Sequence, residues 1–296
     1  MILVVGSTGF LGSEICRRLT ASGKSVRGLV RSTSDPEKVT RLQAMGVETV
    51  LGDLRDPASL AAACQGVDSV ITTATTTTSM QPGDSIPVTD QQGQLDLVQA
   101  ACRTGVRKFV YVSVPQQMES CPLTTAKRTV EQAVISSGLD YTILCPSVFP
   151  EVWLSPALGF DYPNAKATIY GDGHANIGYI SLEDVAEYAV QSLENPAARK
   201  GLFELGHPQM HTLLEVVRIF EQASGKAFEL QFVPASVLEA QRDAATDPLQ
   251  FTFAAMMHYM ATGVHVNTSL AEKAFPDIKL KSVPEFASQV VAMSLS

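Results

Sequence analysis

The 296-residue sequence contains no run of lysine or arginine, and with 22 basic against 30 acidic side chains its formal charge is −8. Phosphate-backbone recognition needs a basic footprint, so nucleic acid is not an expected partner, and neither is an anionic membrane surface. No uninterrupted apolar stretch reaches the ~18 residues of a spanning helix. Basic residues are also missing from the start, where MILVVG reads as a buried strand and not as a leader. The five cysteines (Cys16, Cys64, Cys102, Cys121 and Cys145) are never spaced as CxxC. They are expected to be reduced thiols of a cytoplasmic protein. There is no GxSxG elbow for a hydrolase nucleophile. His207 and His211 stand four apart, but Pro208 and Gly206 put His207 in a turn and no third ligand lies nearby, so no metal site is expected.

What the chain does have is 45% hydrophobic residues in a regular rhythm. Short β-rich runs at 2–5, 26–30, 47–51, 68–73, 108–113 and 141–145 alternate with helical segments. Asp35-Pro36 and Asp56-Pro57 each supply an N-cap followed by proline at the first helical position, and Gly23, Gly46, Gly66 and Gly138 end helices. Such alternation requires a parallel, helix-covered sheet. The expected class is α/β, a Rossmann-type doubly wound parallel sheet over residues 1–150, with a smaller C-terminal α/β lobe over 151–296 partly interleaved with it.

In that lobe, strand candidates fall at 168–170, 178–180, 203–205 and 229–233. Capping-box spacing at Ser181/Asp184, Thr212/Glu215 and Ser282/Glu285 marks three helix starts. The one biased tract is the threonine-rich 72–78, and the polar stretch that follows it, to about Gln92, reads as a mobile lid.

In open parallel sheets, ligands bind beyond the carboxyl ends of the strands. The first such end carries the strongest local signal, the turn Gly6-Ser7-Thr8-Gly9-Phe10-Leu11-Gly12 between a strand and a helix. Gly6 permits the tight turn, Gly9 lets a pyrophosphate approach the backbone, and Gly12 lets the helix pack close, beside unsatisfied N–H donors at the helix start. Arg31 ends the second strand, about 20 residues on, where a guanidinium suits the 2′-phosphate of NADP and a carboxylate would suit NAD. A solvated surface arginine is the bland alternative. Asp53 and Leu54 follow the third strand, placed to meet an adenine, although Asp53 serves equally well as a turn residue. Thr73 ends the fourth strand and Ala74 follows it at the same edge.

These residues lead to a resemblance. The GxxGxxG turn, LVR at the end of strand two, GDL (52–54), YVSV (111–114), Lys127 with Glu131, SGLDYTILCPSVF (137–149) and IYGDGHANIGYISLEDVAEYAV (169–190) together resemble the atypical short-chain dehydrogenase/reductases of the NmrA-like group. The resemblance extends to about residue 208 and is weaker beyond. It implies an extended Rossmann domain that binds NADP(H), with a small C-terminal lobe that selects the substrate. It also implies that the loop Pro146-Ser147-Val148-Phe149 contacts the nicotinamide, that Ser113 lines its site and that Lys127 holds its ribose.

The wider superfamily adds a tyrosine four positions before that lysine, and here the position is Leu123. Leu123 and Lys127 share a helix face, so the lysine still points at the site. Its bland alternative is a helix lysine paired with Glu131. The loss leaves two functions. One is an NADPH-dependent reductase acting on a small apolar carbonyl, quinone or conjugated acceptor, with the proton supplied by Lys127, by a lobe tyrosine such as Tyr179, or by water. The other is a non-catalytic NADP(H)-binding sensor or assembly factor. For the substrate side, Phe149, Trp153 and His174 are the candidates, with core packing the alternative for the aromatics and a solvated loop for the histidine. The methionines at 256, 257 and 260 read first as core. Oligomeric state is left open by the sequence.

Overall fold

Valine, isoleucine and leucine runs bounded by glycine turns make the strands of the first half, and proline after aspartate starts two of its helices. The computed structural model describes residues 1–78 and 80–295. Its first half runs β1 (Ile2–Val5), α1 (Phe10–Ala21), β2 (Val26–Val30), α2 (Pro36–Ala44), β3 (Glu48–Leu51), α3 (Pro57–Ala63) and β4 (Ser69–Thr72). A π-helix (Ile86–Gly93) then leads directly into α4 (Gln94–Thr104), followed by β5 (Lys108–Val112), α5 (Pro122–Ser136) and β6 (Asp140–Pro146). Asp35 accepts from Glu37 N at 2.9 Å and Asp56 from Ala58 N at 3.1 Å, so both Asp-Pro pairs cap their helices.

The second half contributes α6 (Pro150–Trp153), β7 (Phe160–Asp161), β8 (Lys166–Tyr170), β9 (Asn176–Ile177), α7 (Leu182–Gln191) and β10 (Gly201–Leu205). After these come β11 (His211–Thr212), α8 (Leu213–Ser224), β12 (Glu229–Val233), α9 (Ala235–Ala244), α10 (Pro248–Thr262), α11 (Ser269–Ala274) and α12 (Val283–Leu295).

Seven parallel strands form the main sheet in the order β10-β6-β5-β4-β1-β2-β3. β10 pairs with β6 from Gly201 opposite Thr142 to Leu205 opposite Pro146, so residues on both sides of position 150 build one sheet. One apolar core joins the sheet to α1 and α7 through Leu11, Ile15, Leu19, Val185 and Ala189, and a second joins its other face to α3, α4 and α5 through Leu60, Leu97 and Val130. The sheet is therefore covered on both faces, as parallel sheets must be. A third core, around Ile169, Phe220 and Phe286, gathers the short β7-β8-β12 sheet with α8 and α12. The strand order reverses between β1 and β4, where Val5 lies opposite Thr72, and that crevice is where doubly wound sheets bind ligands.

The strand expected at 178–180 lies instead at Asn176–Ile177. Residues 178–179 are tied to loops: Gly178 N donates to Val264 O at 3.1 Å, and His207 N donates to Tyr179 O at 2.7 Å. The polar stretch expected as a lid is partly wound into the π-helix, which Ser85 caps at Val88 N. Asp90 of that helix is fully buried and accepts from Thr76 N and Oγ1 at 3.1 and 2.6 Å. Ser79, within the same tract, lies outside the described residues.

Candidate functional site

Gly6 adopts φ +85°, and a Cβ there would stand 2.7 Å from Thr73 Oγ1. At Gly12 a Cβ would come within 2.1 Å of Gly6 O, so α1 sits against the turn at a distance only glycine allows. Gly9 is the N-cap of α1 and supplies no side-chain cap, in contrast to Asp35 and Asp56 on the next two helices. The first-turn N–H groups of α1 thus lack a side-chain partner beside a cavity of about 380 Å3 whose lining includes Gly6, Thr8, Gly9, Phe10 and Leu11. That is the arrangement a pyrophosphate needs. Ser7 and Gly12 do not line the cavity. The buried Ser7 hydroxyl donates to Leu29 O at 2.8 Å and fastens the turn to β2, while Gly12 serves packing alone.

At the ends of the next strands, Arg31, Asp53, Leu54, Thr73 and Ala74 all line the same cavity. Ser34 and Asp35, which directly follow Arg31, join them, as do Lys38 and Gln81, for which the sequence carries no signal. Arg31 Nη1 donates to Asp84 Oδ2 at 2.7 Å. Asp53 accepts from Arg55 Nη2 at 2.7 Å and from Arg55 N at 2.9 Å, and this guanidinium holds its carboxyl below the usual range. Asp53 is therefore a turn residue and a cavity residue together.

At the other end, Lys127 is 3% exposed and borders the cavity with Ser113 and Leu123. Its Nζ donates to Val112 O at 3.2 Å. Burial pushes the ammonium pKa down, against the opposing pull of the Asp90 and Glu131 carboxylates. Glu131 accepts from Ser113 Oγ, from Arg128 Nη1, and from Gln116 Nε2 at 3.2 Å. Among the described residues it makes no ion pair with Lys127, which is buried and not a solvent-facing helix lysine.

Pro146, Ser147, Val148 and Phe149 line the cavity beyond β6. The Ser147 hydroxyl donates to Gly178 O, so its proton is committed to the fold. The far wall is apolar, with Trp153 set edge-on to Tyr170 at 6.4 Å between ring centroids. Met118, Val152, Met256 and Met260 complete that wall, so two of the three clustered methionines face the cavity as well as the core.

Two candidates are corrected. Tyr179 is buried in the third core, outside the cavity lining, and burial raises its hydroxyl pKa well above the ordinary value, which suits a packing residue and not a proton donor at this site. His174 is exposed on the Gly171–Gly173 turn, its N–H donating to Asp172 Oδ1 at 2.9 Å, and it does not border the cavity either. The lobe tyrosine that does border it is Tyr259 of α10. Its hydroxyl has no hydrogen-bond partner among the described residues, and burial pushes it up to about 12. The only sequence signal for it was the apolar helix that also carries the methionines. Among the described residues no three His, Cys, Asp or Glu side chains gather as a metal site, and no helix is long and apolar enough to cross a membrane.

A model of the NmrA-like family matches residues 1–287. A NAD(P)H azoreductase of Xenophilus azovorans is 32% identical over 83% of this chain and 80% of its own. A photosystem II assembly factor of Synechocystis is 30% identical over 81% of this chain and 73% of its own. Among solved structures, AtPrR2 with NADP+ and (+)pinoresinol superposes over 97% of each chain at a TM-score of 0.78 and 26% identity.

Proposed function

We propose, from the premise that this chain belongs to the NmrA-like family of NAD(P)-binding oxidoreductases with a Rossmann-type fold, that it is an NADPH-dependent reductase. Its substrate is a small apolar carbonyl, quinone or conjugated acceptor. The observation that carries this reading is the buried Lys127 ammonium at one end of a cavity whose other end holds an uncapped helix N-terminus and Arg31. The uncapped α1 turn, with Gly6 and Gly9 on the cavity lining, fits a dinucleotide pyrophosphate, and Arg31 fits a 2′-phosphate. When bound, the nicotinamide supplies a hydride to the acceptor.

The chain's own part is positioning and proton supply. Ser113 and the 146–149 loop line the nicotinamide end, and the apolar wall of Trp153, Met256 and Met260 orients a planar acceptor while excluding water. Lys127 Nζ is the proton donor, and Leu123 fills the place of the absent tyrosine with an apolar contact. An acceptor that delocalises its own negative charge, as an azo or quinoid group does, needs little further acid catalysis. The azoreductase relative supports such an acceptor.

A second reading, an NADP(H)-binding assembly factor without turnover, is favoured by Leu123 at the tyrosine position and by the photosystem II assembly relative. The test is titration of the purified protein with NADPH, followed by NADPH oxidation with azo dyes and quinones. Turnover above the protein-free rate supports the reductase. Tight binding with no turnover across the panel supports the assembly factor, and no binding overturns both.

A further inference from the structure

The ion pair at the end of β2 has an unusual partner. The Asp84 side chain is 1% exposed although it belongs to the loop before the π-helix. Both of its oxygens are engaged: Oδ2 accepts from Arg31 Nη1 at 2.7 Å and from Gln81 N at 2.9 Å, and Oδ1 accepts from Thr89 Oγ1 at 3.2 Å, with Arg55 Nε 3.7 Å away. A carboxylate held on this many sides is a fixed charge, not a surface side chain that swings away. Arg31, Gln81 and Thr89 line the cavity, so this anion stands directly behind the wall that a ribose 2′-substituent would face.

The second arginine of the region, Arg55, is likewise matched by Asp53 at 2.7 Å. A 2′-phosphate that reaches Arg31 therefore meets a cation already paired with a carboxylate, and it is repelled by that carboxylate through a poorly hydrated interior. A 2′-hydroxyl, being uncharged, meets no such repulsion.

We propose that Asp84 is a cofactor-specificity residue, which offsets the charge of Arg31 and so lowers the preference for NADPH until NADH is also accepted. The proposal rests on the reading that the cavity holds a nicotinamide dinucleotide.

The test is a paired titration of wild-type protein and Asp84→Asn with NADPH and with NADH, by calorimetry at fixed salt. Asparagine keeps the acceptor for Gln81 N and removes only the charge. The expected result is NADPH binding about fivefold tighter in Asp84→Asn, about 1 kcal/mol, with NADH changed by less than about twofold. The gain should be larger at low salt. An unchanged NADPH/NADH ratio overturns the proposal, as does weaker NADPH binding, which would make Asp84 a support for Arg31. Should Asp84→Asn fail to fold, Asp84→Ser, which also keeps an acceptor, is titrated in its place and judged by the same outcomes. Failure of the wild-type protein to bind either nucleotide overturns the functional reading together with this proposal, whereas binding with an unaltered ratio overturns the proposal alone.

Discussion

Lys127 Nζ lies 5.0 Å from the centroid of the Tyr111 ring, so the ammonium rests on an aromatic face inside the protein. A cation over a ring face gains attraction that partly offsets its lost hydration. The ring face thus favours the charged form of the lysine, against burial, which disfavours it.

Replacing Lys127 with methionine retains its length and removes its charge. NADPH oxidation by an acceptor should fall about 100-fold or more in kcat, the range expected for loss of a proton donor. The wild-type rate should also decline on the alkaline side with a midpoint below the ordinary lysine value of 10.5, since burial lowers the pKa and only the protonated form donates. A pH profile of kcat checks this; the same alkaline decline in Lys127→Met would assign the limb to another group.

Arg31→Ala should weaken NADPH binding about tenfold, or about 1.4 kcal/mol, with a much smaller effect on NADH. It also strips the nearly inaccessible Asp84 of the cation 2.7 Å away, so the melting temperature should drop as well. Titration beside thermal unfolding separates the two effects, and equal loss for both nucleotides would remove Arg31 from 2′-phosphate recognition.

Gly12→Ala places a methyl group 2.1 Å from the Gly6 carbonyl oxygen, and neither backbone can yield without opening the turn. A destabilisation of about 1–3 kcal/mol, typical of overpacking, is expected by denaturant unfolding, together with loss of nucleotide binding. Wild-type binding by the variant would contradict the close approach of α1 to the turn.

Stability should depend on Glu151. Its Oε1 accepts from Leu182 N at 3.0 Å, its Oε2 is buried without a partner among the described residues, and burial pushes the carboxyl up to about 7 from 4.5. Because the folded state binds this proton more tightly than the unfolded chain does, the stability it contributes is fully present below about 4.5 and is lost as pH rises through about 7, at a scale of roughly 3 kcal/mol. Glu151→Gln should flatten that segment of the stability curve measured by urea unfolding.

The sequence made the first half legible because its signals are local. Glycine turns, Asp-Pro caps and β-branched runs each act within a few residues, and the strands up to Pro146 lie close to where these place them, whereas the π-helix at Ile86–Gly93 falls in the stretch expected as a lid. The end of the cavity proposed for the dinucleotide stood out for the same reason, since Gly6, Gly9, Arg31, Asp53 and Thr73 all follow strand ends. The end proposed for the substrate did not. Tyr259 enters from α10, far along the chain from Val112 and Pro146, which end strands on the same lining, and the sequence offers no sign that Tyr259, and not Tyr179, is the one turned toward the cavity. Asp84 was invisible too: its partner Arg31 is 53 residues earlier, and nothing in a polar stretch reveals that one aspartate is buried.

The pairing of β10 with β6 bears on how the molecule is made. A growing chain that has emerged only as far as residue 150 exposes β6 as a bare strand edge, and its apolar run Ile143–Cys145 stays open to wrong partners until residues 201–205 arrive. A fragment cut near position 150 should for this reason aggregate instead of folding as a free nucleotide-binding half, and the nascent protein needs shielding over about fifty residues of synthesis.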